Sequence, residues 1–213
     1  MNTKNFLNSK FFNISSYAYK DILEDKTPWQ SVSLLADYIN QIFHTGKLSP
    51  NFRRKTNVFV GVGSTIHDSV EIEGPAIIGS NCQIKHAAFL REGCIIGDNV
   101  IIGHAVEVKH SIILNNSILA HLNYIGDSIV GNNVNISGGV IVANFRLDKK
   151  NIVIKSTDGE IDTGLQKFGA AIGDNSVIGV NSVLNPGTIL GKGTIIYPLK
   201  SIKGAHEDNA ILK

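Results

Sequence analysis

The chain has 213 residues, 43% hydrophobic and 18% charged, with a formal net charge of +2, which suits one good core plus an appendage and excludes a disordered chain. So small a charge supplies no general basic field for nucleic acid, although it is compatible with a local anion site. The opening MNTKNFLNSKFFNISS lacks the apolar core of a signal peptide, and no stretch is long and apolar enough to span a bilayer, so a cytoplasmic protein with neither nucleic acid nor membrane as partner is expected.

Residues 1–59 read as an N-terminal helical segment and linker, the linker covering 51–59. Thr27-Pro28-Trp29-Gln30 has the form of a capping box with proline at the first helical position, and Gly46 is a natural stop. Between them Trp29, Val32, Leu35, Ile39, Ile42 and Phe43 recur at helical spacing, so one face of this helix must be buried, most simply against the rest of the chain or in an oligomer contact.

From Val60 the pattern changes. Val60, Ile66, Ile72, Ile78, Ile84, Leu90, Ile96, Ile102, Val108 and Leu114 are all aliphatic and six apart. A strand alternates with period two and a helix with 3.6; an unbroken period of six describes a solenoid of hexapeptides, three to a coil. The beat returns as Ile118, Tyr124, Val130, Ile136 and Val142, and again as Ile172, Ile178, Leu184, Leu190, Ile196 and Ile202. The expected fold is therefore an all-β parallel helix over 60–205, with a tail at 206–213. Gly61, Gly79 and Gly97, eighteen apart, mark one corner. Cys82 and Cys94 fall at the fifth place of their hexads, where Ser64, Ala76, Ala88 and Val100 stand elsewhere; they read as small buried fillers, on different faces, and not as a disulfide.

Two disturbances interrupt the beat. At the first, the register slips by four residues after Leu114 and an irregular turn is expected near His121. The second, at about 145–168, places NIVIK and EIDTG around Ser156-Thr157-Asp158-Gly159 and reads as a protruding hairpin able to serve as a lid or partner contact.

Residues one coil apart become neighbours about 4.8 Å apart in a stacked solenoid. Arg91 and Lys109, eighteen apart and each following a core aliphatic, are thus two cations on one corner, either splayed into solvent or bridged by an anion such as phosphate. His121 has the chemistry of a general base near neutral pH, and Tyr124 offers a phenol to a phosphate or sugar hydroxyl. His86 and His104 stack one coil apart without the spacing of a metal site.

These residues carry a resemblance. The stretch HAVEVKHSIILNNSILAHLNYIGDSIVGNNVNISGGVIVANF resembles hexapeptide-repeat acyltransferases of the left-handed β-helix type. It is similar to the acetyltransferase arms of bifunctional N-acetylglucosamine-1-phosphate uridylyltransferase and of sugar-1-phosphate thymidylyltransferases, over about 60–198, with VEVK, AHLNYIGD, NVN and AN in the family's order. The resemblance implies an N-acetyltransferase that uses acetyl-CoA and an amino-sugar 1-phosphate, needs no metal for acetyl transfer, and works as a homotrimer with sites between neighbouring solenoids. It implies His121 as catalytic base and Gly138 as the backbone N–H facing the acetyl group. Arg91, Lys109, Tyr124, Asn135 and Lys167 would hold the sugar phosphate, and Gly138, Asn144, Phe145, Val180 and Pro198 would line the acetyl-CoA site. The sequence departs from the family pattern at Val180, where a serine is usual, at Phe145, where tyrosine is common, and in ending at Lys213 before a distal arginine; no nucleotidyl-transfer motif precedes the solenoid. Two other readings compete: a non-catalytic scaffold or regulatory subunit, and a γ-class carbonic anhydrase, whose histidine spacing of five is replaced by six between His104 and His110.

Overall fold

A computed structural model of the chain describes residues 3–52, 57–157 and 159–213; residues 53–56 of the expected linker and Asp158 of the expected turn lie outside the described residues. The chain winds a left-handed parallel β-helix of three sheets, with eight, eight and seven strands. The first face runs from Val58–Val60 to Ala205–His206, the second from Thr65–Ile66 to Ile211–Leu212, and the third from Glu71–Ile72 to Ser201–Ile202. Among the described residues no helix is long and apolar enough to cross a membrane.

The hexad aliphatics Ile72, Ile78, Ile84, Leu90, Ile96, Ile102 and Val108 point inward and form a continuous stack with Val130, Ile136, Val142 and Ile172 onward. Cys82 and Cys94 are free and buried, and burial pushes the Cys94 thiol up to about 12; it is a filler with no thiolate to offer at neutral pH. Later in the coil this place is taken by Ser111, Ser117 and Ser128, all buried. Each hydroxyl donates to a carbonyl and accepts an N–H from the next coil, as Ser117 does with Gly131 O at 2.6 Å and Val134 N at 2.9 Å, so the buried polar group is satisfied.

Between Val108 and Val130 the phase differs from the hexad count. The inward residues are Ile113, Leu119 and Ile125, while Leu114 packs outward beneath the N-terminal segment, Ile118 is 40% exposed and Tyr124 is half-buried. The steps Val108 to Ile113 and Ile125 to Val130 are each five residues long, so two successive coils lose one residue at the same corner, between the third and first faces. The pairings there are seventeen apart, as in Gly126 with Lys109. His110 and Asp127 make these tight corners with φ of 46° each. His121 ends a regular strand, Ile118–His121; the irregularity lies at residues 109–111 and 126–128 instead.

The N-terminal segment covers the first face. Its helical stretch divides into Pro28–Ser33 and Leu35–His44 because Leu34 N–H bonds back only three residues, to Ser31 O, tightening the turn; Gln30 caps Thr27 N–H at 2.9 Å. Trp29, Val32, Leu35, Ile39 and Ile42 form one cluster with the outward Ile77, Ile95, Ile112 and Ile129 of the first face. The insertion joins the same cluster. Its antiparallel strands, Val153–Ser156 and Gly159–Asp162, bury Ile152, Ile154 and Ile161 there, so the hairpin lies down on the solenoid and does not protrude as a lid. Residues 206–213 also belong to the coil: Ile211–Leu212 pairs with Ile195–Ile196, because a last step of sixteen residues keeps the ladder in register, and no free tail remains.

The phase assignment has a direct test. Leu119→Ala should cost about 2 to 5 kcal/mol in chemical denaturation and more than Ile118→Ala, since Leu119 is wholly buried within the single chain and Ile118 is not; equal losses would refute the five-residue corners.

Candidate functional site

The shortened corner gathers charge. Arg91 follows Leu90, which pairs with Val108, so Arg91 and Lys109 occupy neighbouring rungs. Their repulsion is not left to solvent or to a ligand. Arg91 Nη1 meets Glu107 Oε1 at 3.2 Å and its Nε lies 3.9 Å from Glu73; Lys109 Nζ lies 3.6 Å from Asp127 Oδ2 and 3.9 Å from Glu92. The Lys109 and Asp127 side chains are 11% and 5% exposed, so this pair sits where solvent screens little. Asp127 also takes a hydrogen bond from Asn144 Nδ2, and its other oxygen lies 3.4 Å from His110 Nδ1. Burial works against its charge, but the bonds from His110 and Asn144 and the Lys109 ammonium outweigh that and hold the carboxyl below its usual range.

Tyr124 stands outward on the third face between Glu107 and Ile141. A Cβ on Gly126 would come within 2.6 Å of the Tyr124 hydroxyl and 2.7 Å of Asn144 Nδ2, so glycine is what lets both groups converge over the corner. Burial, with the charges of Asp127 and Glu107, pushes the phenol up and keeps it a donor at neutral pH. Lys167, exposed, bridges Phe145 across the start and end of the insertion, beside Asn144. Arg91 Nε and His110 Nε2 are buried without a hydrogen-bond partner.

The remaining expected residues lie on the opposite edge of the third face, where the second face turns into it. His121 pairs with His104; the His121 carbonyl accepts Gly139 N–H at 3.0 Å, that of Gly138 accepts Asn181 N–H at 3.0 Å, and that of Val180 accepts Leu199 N–H at 2.9 Å. His121, Gly138, Val180 and Pro198 are thereby successive members of one column. The residues just after it, Leu122, Gly139, Asn181 and Leu199, are all left-handed, with φ between 54° and 72°, which turns the chain and exposes the column. The His121 imidazole is exposed and lies over Gly138, where a Cβ would sit 2.5 Å from Nε2. Among the described residues no backbone carbonyl accepts the Gly138 N–H. Asn135 lies on the second face between Ile118 and Val177 and belongs to neither edge.

The expected residues therefore form two groups: Arg91, Lys109, Tyr124, Asn144, Phe145 and Lys167 at one edge, and His121, Gly138, Val180 and Pro198 at the other. The chain covers the span from His121 to Gly126 in five residues, roughly 15 Å of extended backbone. Sequence reasoning missed Glu107, His110 and Asp127; the alternation of acid and base in Glu107-Val108-Lys109 was the available signal, since both point outward on one strand. His104 and His110 lie on different edges, and among the described residues no group of three or more His, Cys, Asp or Glu is arranged to hold a metal ion.

A three-sided coil built on an inward aliphatic every six residues is a hexapeptide-repeat left-handed β-helix. Residues 72–211 match the family model described as the GMPPB C-terminal domain, and the chain belongs to that family. It is similar to the bifunctional protein GlmU of Methanococcus maripaludis, 34% identical over 150 residues, covering 70% of this chain and 36% of the relative. With the corresponding protein of Methanococcus vannielii it shares 31% over 211 residues, 81% of this chain and 50% of the relative. With a bifunctional sugar-1-phosphate nucleotidylyltransferase/acetyltransferase of Sulfurisphaera tokodaii it shares 35% over 126 residues, 51% and 31%. The chain spans a third to a half of the length of these relatives.

The Asp127 hub predicts a pH dependence. A carboxyl whose folded pKa is lowered contributes fully above its unfolded value, near 4, and the contribution is lost as pH falls through the folded value. Asp127→Asn should therefore lower stability at pH 7 and flatten the acid limb of a stability-against-pH curve relative to wild type; parallel curves would remove Asp127 from the network.

Proposed function

We propose that the chain is an acetyl-CoA-dependent N-acetyltransferase acting on an amino-sugar 1-phosphate such as glucosamine 1-phosphate. The observation that carries this reading is the column of His121, Gly138, Val180 and Pro198, drawn from residues up to 77 apart in sequence onto one exposed edge. In this reading the sugar amine attacks the thioester carbonyl directly, His121 accepts its proton, and the free Gly138 N–H meets the developing oxyanion, a contact worth about 3 kcal/mol of barrier. Coenzyme A leaves as the thiol. The column below Gly138 supplies a backbone-lined groove for the cofactor, with Asn144 and Phe145 contacting it from a neighbouring chain.

At the other edge the phosphate would take Lys109, Arg91 and Lys167, with Tyr124 donating to a phosphate or sugar hydroxyl. The more exposed carboxylates of Glu73, Glu92 and Glu107 would turn toward hydroxyl groups of the acceptor, while Asp127 stays with Lys109. Asn135 would contact the sugar. Because the two groups lie on opposite edges of one face, a single chain cannot close one site from both. A homotrimer brings the cation corner of one chain to the imidazole column of the next. The first face is already covered by the N-terminal segment, whereas the second exposes Ile118, Val177, Ile195 and Ile211, an apolar stripe suited to burial between copies.

A scaffold reading is favoured by one observation, the saturation of both cations by the chain's own carboxylates. Calorimetry separates the two: acetyl-CoA binding supports the enzyme, and no heat at millimolar ligand supports the scaffold. In a thiol-release assay with glucosamine 1-phosphate, His121→Ala should lower kcat about 100- to 10,000-fold with KM within a few fold of wild type; wild-type turnover in that variant would remove His121 from the mechanism.

A further inference from the structure

The N-terminal segment has no part in the chemistry above, yet it reaches the cation corner through one contact. Trp29, in the first turn of Pro28–Ser33, is buried and meets Phe168 edge-on, with ring centroids 6.3 Å apart at 74°; Phe6 closes the other side of the indole at 6.0 Å. Phe168 is wholly buried. Its N–H donates to Asn144 O at 3.0 Å, and the N–H of the next residue, Gly169, donates to Asp127 O at 2.9 Å. One peptide segment thus fixes the backbone of two residues whose side chains are bonded to each other and, through Asp127, to Lys109 and His110. The segment has no freedom to sink deeper, since a Cβ on Gly169 would lie 2.3 Å from both Gly126 O and Ser128 Oγ. Gly187 N–H holds its carbonyls, at 3.3 Å to Phe168 O and 2.8 Å to Gly169 O, and the Trp29 ring adds the aromatic contact from the N-terminal segment.

We infer that Trp29 is a positioning residue: the N-terminal segment clamps Phe168, and the clamp sets Asn144, Asp127 and Lys109 for the anionic part of the acceptor. The inference rests on the reading of this corner as the phosphate subsite. Removing the indole takes away the ring packed edge-on against Phe168; the 168–169 peptide then loosens on its hydrogen bonds, and the Asn144 to Asp127 to Lys109 chain loosens with it. His121 stands at the far edge of the third face and is not reached by this path, so the loss belongs to acceptor binding and not to proton transfer.

Trp29→Ala should raise KM for glucosamine 1-phosphate at least 10-fold while kcat stays within 3-fold, and Trp29→Phe, which keeps a ring edge on Phe168, should restore KM to within 3-fold of wild type. A folded Trp29→Ala protein with wild-type KM, or one in which kcat and this KM worsen together, overturns the inference. If Trp29→Ala does not fold, Phe168→Leu, which keeps apolar volume and loses the ring contact, is read by the same criteria. Hydrogen exchange needs no turnover: the amides of Phe168 and Gly169 should exchange at least 10-fold faster in Trp29→Ala or Phe168→Leu than in wild type, and unchanged protection refutes the clamp. Absence of acetyl transfer by the wild-type chain would instead refute the proposed function and leave the exchange result to decide the clamp.

Discussion

The parallel hydrogen-bond ladder between coils is the constraint on which everything else in this molecule depends. It fixes which residue faces which across about 4.8 Å, and it does so by counting residues per coil. Where the count is eighteen, as from Ala76 to Cys94, side chains repeat in straight columns. At seventeen, as from Glu107 to Tyr124, the ladder survives only because a corner tightens by one residue. Both tightened corners fall at the same edge, where the backbone at His110 and Asp127 is left-handed, as it is at Gly74 and Gly93 in coils of full length. At that edge the buried Lys109 and Asp127 pair.

The charge itself is balanced from within. A buried ammonium beside a buried carboxylate is tolerable only with further hydrogen bonds on the remaining lone pairs, and Asp127 receives them from Asn144 and His110. Lys109 is therefore preorganised, held by a partner that itself cannot move. Arg91 is different: it is more exposed, its Glu107 and Glu73 partners are half-exposed, and such pairs exchange partners at little cost. Under the proposed function Lys109 is the fixed anchor for an anion and Arg91 the adaptable one.

The hexad beat made the solenoid legible, since a single coil already has three matching corners and the pattern repeats along each face. Its phase was not legible between Val108 and Val130, because Ile113-Leu114, Ile118-Leu119 and Tyr124-Ile125 offer an apolar residue at both candidate positions, and only the pairing decides between them. The same ambiguity hid the charge network: counting eighteen from Lys109 lands on Asp127, whereas the true partner on the ladder is Gly126, which leaves Asp127 at the corner and free to reach back. The edge carrying His121 was easier to read as chemistry than as place. The hairpin's turn could be read from local residues, but its seat on the first face could not, because Ile152, Ile154 and Ile161 are explained only by the cluster they enter.

That cluster gives the covered first face a meaning beyond stability. A three-sided coil has three surfaces to spend on partners; here one is occupied by the chain's own N-terminal segment and insertion, which leaves the second and third for other molecules. The third bears a candidate half-site on each edge and the second bears an apolar stripe around Asn135. Under the proposed function, covering the first face and completing the site between copies are two consequences of the same allocation of surfaces, and a chain that lost the cover would expose Ile77, Ile95, Ile112 and Ile129 as a rival apolar patch competing with the second face for partners.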